Sequence, residues 1–358
     1  MHIGLLIYGN IQQVSGGYIY DRKLYEYLRH KKDEVSIISL PRHRYYRHLL
    51  HNFSPRLFEI LKNIKLDILI QDELNHPSCF LINKRLRTRR YPVIALVHHL
   101  RSSEPHPPLQ KKFFRSVEQQ YLRSVDGFIF NSQNTKQVVE NLAGGKPAVV
   151  AYPGKDRLSP TITCKEITAR AEQPGPLRII FVGNVIKNKG LHSLLDALRR
   201  VPKEAWALTV VGNLTIDRAY KNMLLHQIEK NRMVEHVRLT GLVSDSGLIA
   251  RLRNSHVLVM PSAFEGFGLA YMEAMGFGLP VIGSTEGGGC EFIQHGRNGF
   301  LIKPGDSVSL TQHLHQLHRD RTTLLEMSLE ARRTYGQWPT WTTTTECIRN
   351  LLLSFVHN

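Results

Sequence analysis

Two glutamates eight residues apart, Glu265 and Glu273, bracket a glycine-containing turn in the segment Pro261–Pro280. A hydrophobic run ends at Pro261 and a helical pattern begins near Gly268, so one acid falls at the mouth of a loop and the other in an early helix. Gly266 and Gly268 carry no Cβ, which lets backbone approach a ligand closely and lets unpaired helix N–H groups face an anion. An anion at the helix start, with carboxylates for hydroxyls on either side, describes a nucleotide sugar. The alternative is a strand–turn–helix whose acids favour the positive end of the helix dipole.

Two further segments add to this pattern. In Phe181–Gly190, Lys187 and Lys189 follow a strand and precede a helix, a place suited to holding a diphosphate; a solvated lysine pair is the alternative. Ile282–Ile293 is another strand followed by a glycine-rich stretch, Gly287-Gly-Gly289, which turn geometry alone can also explain. In the first half, Ser15-Gly16-Gly17 lies between a strand and a helical pattern, and Val93–Leu100 is a hydrophobic strand that ends in His98 and His99. Flexibility of a turn and packing at a strand end are the plain readings of these two.

The elements that must position these residues repeat one rhythm. Strand-like runs are expected at Ile3–Tyr8, Glu34–Ser39, Leu66–Ile70, Pro92–His98, Gly127–Asn131 and Ala148–Tyr152, with helical patterns at Tyr18–Lys31 and Thr135–Leu142. Residues 156–176, punctuated by Pro160 and Gln173-Pro-Gly-Pro176, read as a linker. Strands are then expected at Leu177–Gly183, Ala207–Gly212, Val237–Gly241, Val257–Pro261, Val281–Ser284 and Phe300–Lys303. Helices are expected at Leu191–Val201, Ala219–Lys230, Asp245–Asn254, Leu269–Phe277 and Val308–Arg319. Alternation of this kind predicts an α/β chain of two parallel-sheet domains, with ligands at the strand C-termini and in the cleft between the domains.

Composition is compatible with that reading. The 358 residues are 42% hydrophobic and 22% charged, which excludes a disordered tail, a collagen-like fibre and a small disulfide scaffold. Four widely spaced cysteines predict reduced thiols and a cytoplasmic protein, and no apolar run is long enough to span a bilayer. The net charge is +17, and residues 1–176 carry 27 Lys/Arg against 15 Asp/Glu. Basic clusters at Arg42–His48, Lys84–Arg90 and Lys111–Arg115 suit anionic lipid or nucleic acid, or are simply a solvated basic surface.

Glu265-x7-Glu273, Gly183 with Lys189-Gly190, Gly287-Gly288 before Glu291, and Asn298-Gly-Phe-Leu301 together resemble the retaining family-4 glycosyltransferases of the GT-B fold. The resemblance is dense over residues 177–304. It implies two Rossmann-like domains facing a central cleft: an acceptor domain at 1–155, a linker at 156–176 and a donor domain at 177–339. The stretch Trp338-Pro-Thr-Trp341 and the apolar-faced Cys347–Phe355 are similar to the family's terminal helix, so 340–358 is expected to pack back on the first domain; from the residues alone, ordinary core packing is the simpler source of the Leu351–Leu353 run.

The resemblance also assigns roles. Glu273 would bind the ribose and Glu265 the donor sugar, while Gly266, Phe267, Gly268 and Leu269 line the site, the last three through backbone N–H groups. Lys189 would neutralise the departing diphosphate. Asn184 stands where many relatives carry Arg, and Lys187 is expected to compensate. Gly16 and Gly17 would border the phosphate and acceptor sites. His98 matches the family histidine, with His99 in place of the acid that usually follows, which leaves both open.

The implied reaction moves a sugar, with retention, from a UDP-, GDP- or ADP-linked donor to a glycan or lipid-linked acceptor. No cofactor or metal is expected, since no Asp-x-Asp occurs. An anionic membrane surface is an expected contact on the cytoplasmic side; nucleic acid is not. A glycoside hydrolase using Glu265 and Glu273 as an acid/base pair, and a basic nucleic-acid binder, are the competing classes.

Overall fold

The computed structural model describes residues 1–13, 15–86 and 90–356; Arg87 and Arg89 of the Lys84–Arg90 cluster lie outside the described residues. It divides into two units, Met1–Gly154 with Pro339–Asn358, and Lys155–Trp338.

In the first unit, runs such as Ile68–Ile70 and Val93–Val97 are buried on both faces, the signature of a parallel sheet covered by helices. The strands are β1 (His2–Tyr8), β2 (Glu34–Leu40), β3 (Ile68–Asp72), β4 (Val93–Val97), β5 (Gly127–Phe130) and β6 (Ala148–Val150). Their order is β2-β1-β3-β4-β5-β6, all parallel, with Ile3 beside Val35 on one side and Ile68 on the other. The covering helices are α1 (Gly16–His30), α2 (Tyr45–His48), α3 (Pro55–Asn63), α4 (His76–Arg85), α5 (Pro108–Ser124) and α6 (Gln133–Ala143).

The second unit repeats the plan. Helix α7 (Cys164–Glu172) precedes β7 (Leu177–Val182), followed by α8 (Leu191–Leu198), β8 (Trp206–Val211), α9 (Arg218–Lys230), β9 (Val237–Gly241) and α10 (Asp245–Asn254). Then come β10 (Val257–Val259), α11 (Leu269–Gly276), β11 (Val281–Ser284), β12 (Gly299–Ile302), α12 (Ser307–Arg319) and α13 (Arg321–Gln337). The sheet order is β12-β11-β10-β7-β8-β9, again all parallel. Helix α14 (Trp341–Val356) closes the chain within the first unit, where Thr344 Oγ1 donates to the Tyr152 carbonyl at 2.6 Å.

Strand positions follow the sequence reading closely, whereas α2, α3, α4, α5, α7 and α13 are additions to it. The stretch 156–176 needs correction. It belongs to the second unit rather than forming a linker, because Thr163 and Glu166 make a reciprocal capping box that starts α7. Buried Ile167 and a 2.6 Å bond from Arg170 Nη2 to the Gly278 carbonyl then fix that helix in place. The Pro and Gly residues around it are punctuation at the helix ends.

Candidate active site

An open parallel sheet leaves a crevice where its strand order reverses, beyond the strand C-termini. In the second unit the reversal lies between β7 and β10. The loops leaving these two strands are the ones that hold Lys187–Gly190 and Pro261–Gly268. They are fastened to each other: Ala263 N–H donates to the Asn188 carbonyl at 2.8 Å, and Asn188 Nδ2 donates to the Phe264 carbonyl at 3.2 Å. Gly190 has φ +73°, and a Cβ there would lie 2.0 Å from the Pro261 carbonyl oxygen, so only glycine lets the loops meet.

That meeting brings Lys189 Nζ to 2.6 Å from Glu265 Oε2, which also accepts from Ser262 Oγ at 3.2 Å. Glu265 is held by backbone on both sides: its N–H donates to the Glu286 carbonyl at 3.1 Å and its carbonyl accepts from Gly288 N–H at 2.9 Å. Gly287, at φ +111°, makes this approach possible. Gly268, in a left-handed conformation at φ +94°, immediately precedes α11, whose first turn has no side-chain cap. Phe267 is a packing residue in its side chain, buried against Phe292 and Trp338, so it offers only its backbone to a ligand.

Glu273 lies on α11, 5% exposed, and accepts a short hydrogen bond from Arg157 Nε. Arg157 Nη1 also donates to Asp245 Oδ1 at 2.7 Å. Burial raises the Glu273 carboxyl above its ordinary value and Arg157 opposes that rise. Sequence reasoning missed Arg157 and Asp245. Arg157 falls in the punctuated stretch taken for a linker, where no apolar period marks it. Asn184 is half-buried beyond β7, and Lys187 is exposed with no salt bridge among the described residues.

The first unit reverses its order between β1 and β3. Gly16 and Gly17 open α1 just after β1, and His98 follows β4. A Cβ on Gly17 would lie 3.2 Å from His98 Cδ2, so glycine allows the helix start to rest against the imidazole. His98 is buried, its Nε2 3.3 Å from Asp21 Oδ1, and burial lowers its pKa. Asp72, at the end of β3, completes a buried group in which one atom from each of Asp21, Asp72 and His98 lies within 4.8 Å of the others. His99 is separate from it and bonds through Nε2 to Glu104 Oε1 at 3.0 Å.

Beside these residues is a cavity of about 210 Å³, lined among others by Arg42, Tyr45, Glu73, His76, His99 and Arg101. Glu73, His76 and Glu118 form a second buried group with metal-ligand chemistry. Both nitrogens of His76 are already engaged, however: Nδ1 with the Glu73 carbonyl and Nε2 with the Tyr45 hydroxyl, each at 2.9 Å. No motif marks these acids, because they come from α1, β3, the turn after β3 and α5.

Comparison with known proteins agrees with this layout. A family model described as glycosyl transferases group 1 matches residues 165–334, and one described as glycosyltransferase family 4 matches residues 20–157. Glycogen synthase of Mycobacterium tuberculosis is 31% identical over 144 residues, 40% of this chain and 34% of that protein. The chain spans 34% to 64% of the length of the curated relatives it first matches. Among solved structures, sucrose-phosphate synthase from Thermosynechococcus elongatus aligns with a TM-score of 0.83 at 18% identity, covering 99% of this chain and 98% of that one. Anabaena HepE, in complex with UDP and glucose, aligns with a TM-score of 0.77 at 20% identity, covering 98% and 99%. The two family models divide the chain between its two sheets, and the solved structures share that fold from end to end: the chain belongs to the group 1, family 4 glycosyltransferases of the GT-B fold.

Proposed function

We propose that the chain transfers a sugar from a nucleoside diphosphate donor to a hydroxyl acceptor, with retention, in making a cell-envelope polysaccharide, lipopolysaccharide or glycolipid. The observation that carries this reading is the Lys189–Glu265 pair at the switch point of the second sheet, ahead of the uncapped start of α11. Lys189 stabilises the charge that grows on the departing diphosphate, and the α11 amides share that anion, so no metal is needed for it. Glu265 orients the Lys189 ammonium and accepts from donor-sugar hydroxyls. Glu273 accepts from the ribose while Arg157 keeps its carboxyl turned and paired. His98, in the first unit, is the candidate catalytic histidine, and Asp21 orients it. The structural neighbour solved with UDP and glucose supports a nucleotide-sugar donor.

The hydrolase reading is less well served. It needs two carboxyls free to flank one glycosidic bond, yet Glu265 is engaged by Lys189 and Ser262, and Glu273 by Arg157.

Thermal stabilisation by UDP, GDP, ADP and their sugar conjugates, with and without EDTA, tests the proposal. A ligand at 100 times its Kd adds ~2.7 kcal/mol when it binds only the folded state. One diphosphate should act, with no effect of EDTA, and Glu273→Gln should lose the shift while still melting cooperatively, at a lower temperature, without ligand. Lys187→Ala should weaken that same shift if Lys187 stands in for a missing arginine at Asn184. No shift with any nucleotide removes the donor assignment.

A further inference from the structure

We propose that the face formed by residues 45–53 and the first half of α5 seats the first unit on an anionic lipid surface; in what it says of the acceptor, as lipid-linked, it rests on the function proposed above. Five large apolar side chains are exposed there: Tyr46 (56%), Leu50 (65%), Phe53 (69%), Leu109 (83%) and Phe113 (38%). Tyr46, Leu50 and Phe53 follow at intervals of four and three residues through α2 and the tight helical turn after it, and Leu109 and Phe113 share one side of α5. The two segments meet, since the Tyr46 and Phe113 rings are 5.9 Å apart and Gln110 Nε2 donates to the Tyr46 hydroxyl at 3.3 Å. Neighbouring Tyr45 lines the 210 Å³ cavity, so the apolar face borders the pocket into which an acceptor headgroup would reach.

The two segments themselves carry charge of one sign; of the acids that flank them, Glu59 is exposed, Glu104 is paired with His99 and Glu118 is buried. Residues 41–58 and 105–117 contain four arginines and Lys111, Lys112 and Arg115, with no Asp or Glu. All seven cations are exposed, and none forms a salt bridge among the described residues. Exposed apolar side chains rimmed by unpaired cations fit the boundary between acyl chains and anionic headgroups. A second copy fits poorly, because a chain of net charge +17 would bring like charge against like. Leu50 and Leu109, the latter 83% exposed, suit acyl chains and offer bases no ring, whereas the aromatic Tyr46, Phe53 and Phe113 suit either, so RNA binding is an outcome of the test below.

Co-sedimentation with vesicles of phosphatidylcholine alone, or mixed with phosphatidylglycerol, at low and high salt, tests this. The wild type should sediment with the mixed vesicles, weakly with the neutral ones, and less at high salt. Lys111→Gln with Lys112→Gln should lower partitioning by ten- to thirty-fold, and Leu50→Ser with Leu109→Ser should lower it on mixed vesicles while melting as the wild type does. No sedimentation of the wild type, or sedimentation of either variant equal to that of the wild type, overturns the proposal. So does a dimer in vesicle-free solution that the leucine variant dissociates, or RNA binding that the lysine variant abolishes without loss of vesicle binding. Nucleotide melting shifts on the same samples separate the two readings: vesicle binding without a shift keeps the surface and removes the donor site, and a shift without vesicle binding does the reverse.

Discussion

Asp21 and Asp72 are carboxylic acids in a place with almost no water, and burial pushes both up to about 7 from an ordinary value near 3.8. In the unfolded chain they ionise near pH 4, whereas the folded chain keeps their protons until near neutrality. The folded state therefore binds more protons between these limits, and stability falls as pH rises through the window. Each group that holds its proton in this way costs up to ~1.4 kcal/mol per pH unit. Histidines lowered by burial, such as His98 and His256, work the other way as pH rises to 6.5, so the difference between two proteins isolates the acid: urea midpoints from pH 4 to pH 7 should have a more positive slope in Asp21→Asn than in the wild type. Equal slopes would assign the carboxyl contribution to other groups, such as Glu73, which burial raises to about 8.

At the scale of elements, the second-unit site is a matter of which backbones are allowed to touch. Gly190 joins the loop after β7 to the exit of β10, while Gly16 opens α1 with nothing within 4 Å of a Cβ placed on it. Gly190→Ala forces an unfavourable positive φ and a clash with backbone that cannot swing aside, for which ~2–4 kcal/mol of destabilisation is expected. Gly16→Ala should stay within ~0.5 kcal/mol. Thermal melts of the two variants check the contrast; equal small losses would mean that the loops relax apart, leaving Lys189 free of Glu265. These contacts are also what sequence spacing could not show. The motifs were legible because glycine and charge cluster at strand ends, but the Lys189–Glu265 pair joins residues 76 apart in the chain, and only the sheet order puts them together.

At the scale of the molecule, the last helix returns to finish the first unit. Trp341 is buried against Tyr20, with ring centroids 5.4 Å apart, and Gly154 leaves room for its backbone. Arg349 then grips Asp33 through two nitrogens, at 2.7 and 3.2 Å. Trp341→Ala should cost ~3–5 kcal/mol, and the loss should fall on residues 1–154. Hydrogen exchange would show it as faster amides there and unchanged amides in 155–338. Equal loss in both units would mean that they unfold as one.

Taken alone, the sequence determined the two tandem parallel sheets, nearly all the strand positions and the glycine-bounded motifs at their ends. It could do so because strand burial and turn chemistry are local, written in hydrophobic runs and in glycines. It did not determine where Arg157 belongs, that Glu273 pairs with it, or that Asp21, Asp72 and His98 share one buried pocket. Those depend on strand order and helix docking, which bring distant residues into contact, and burial then sets their charge. The apolar face beside the first unit's cavity is of the same kind. Its basic residues are plain in the sequence, but only the packing of α2 against α5 leaves five large side chains facing out among them.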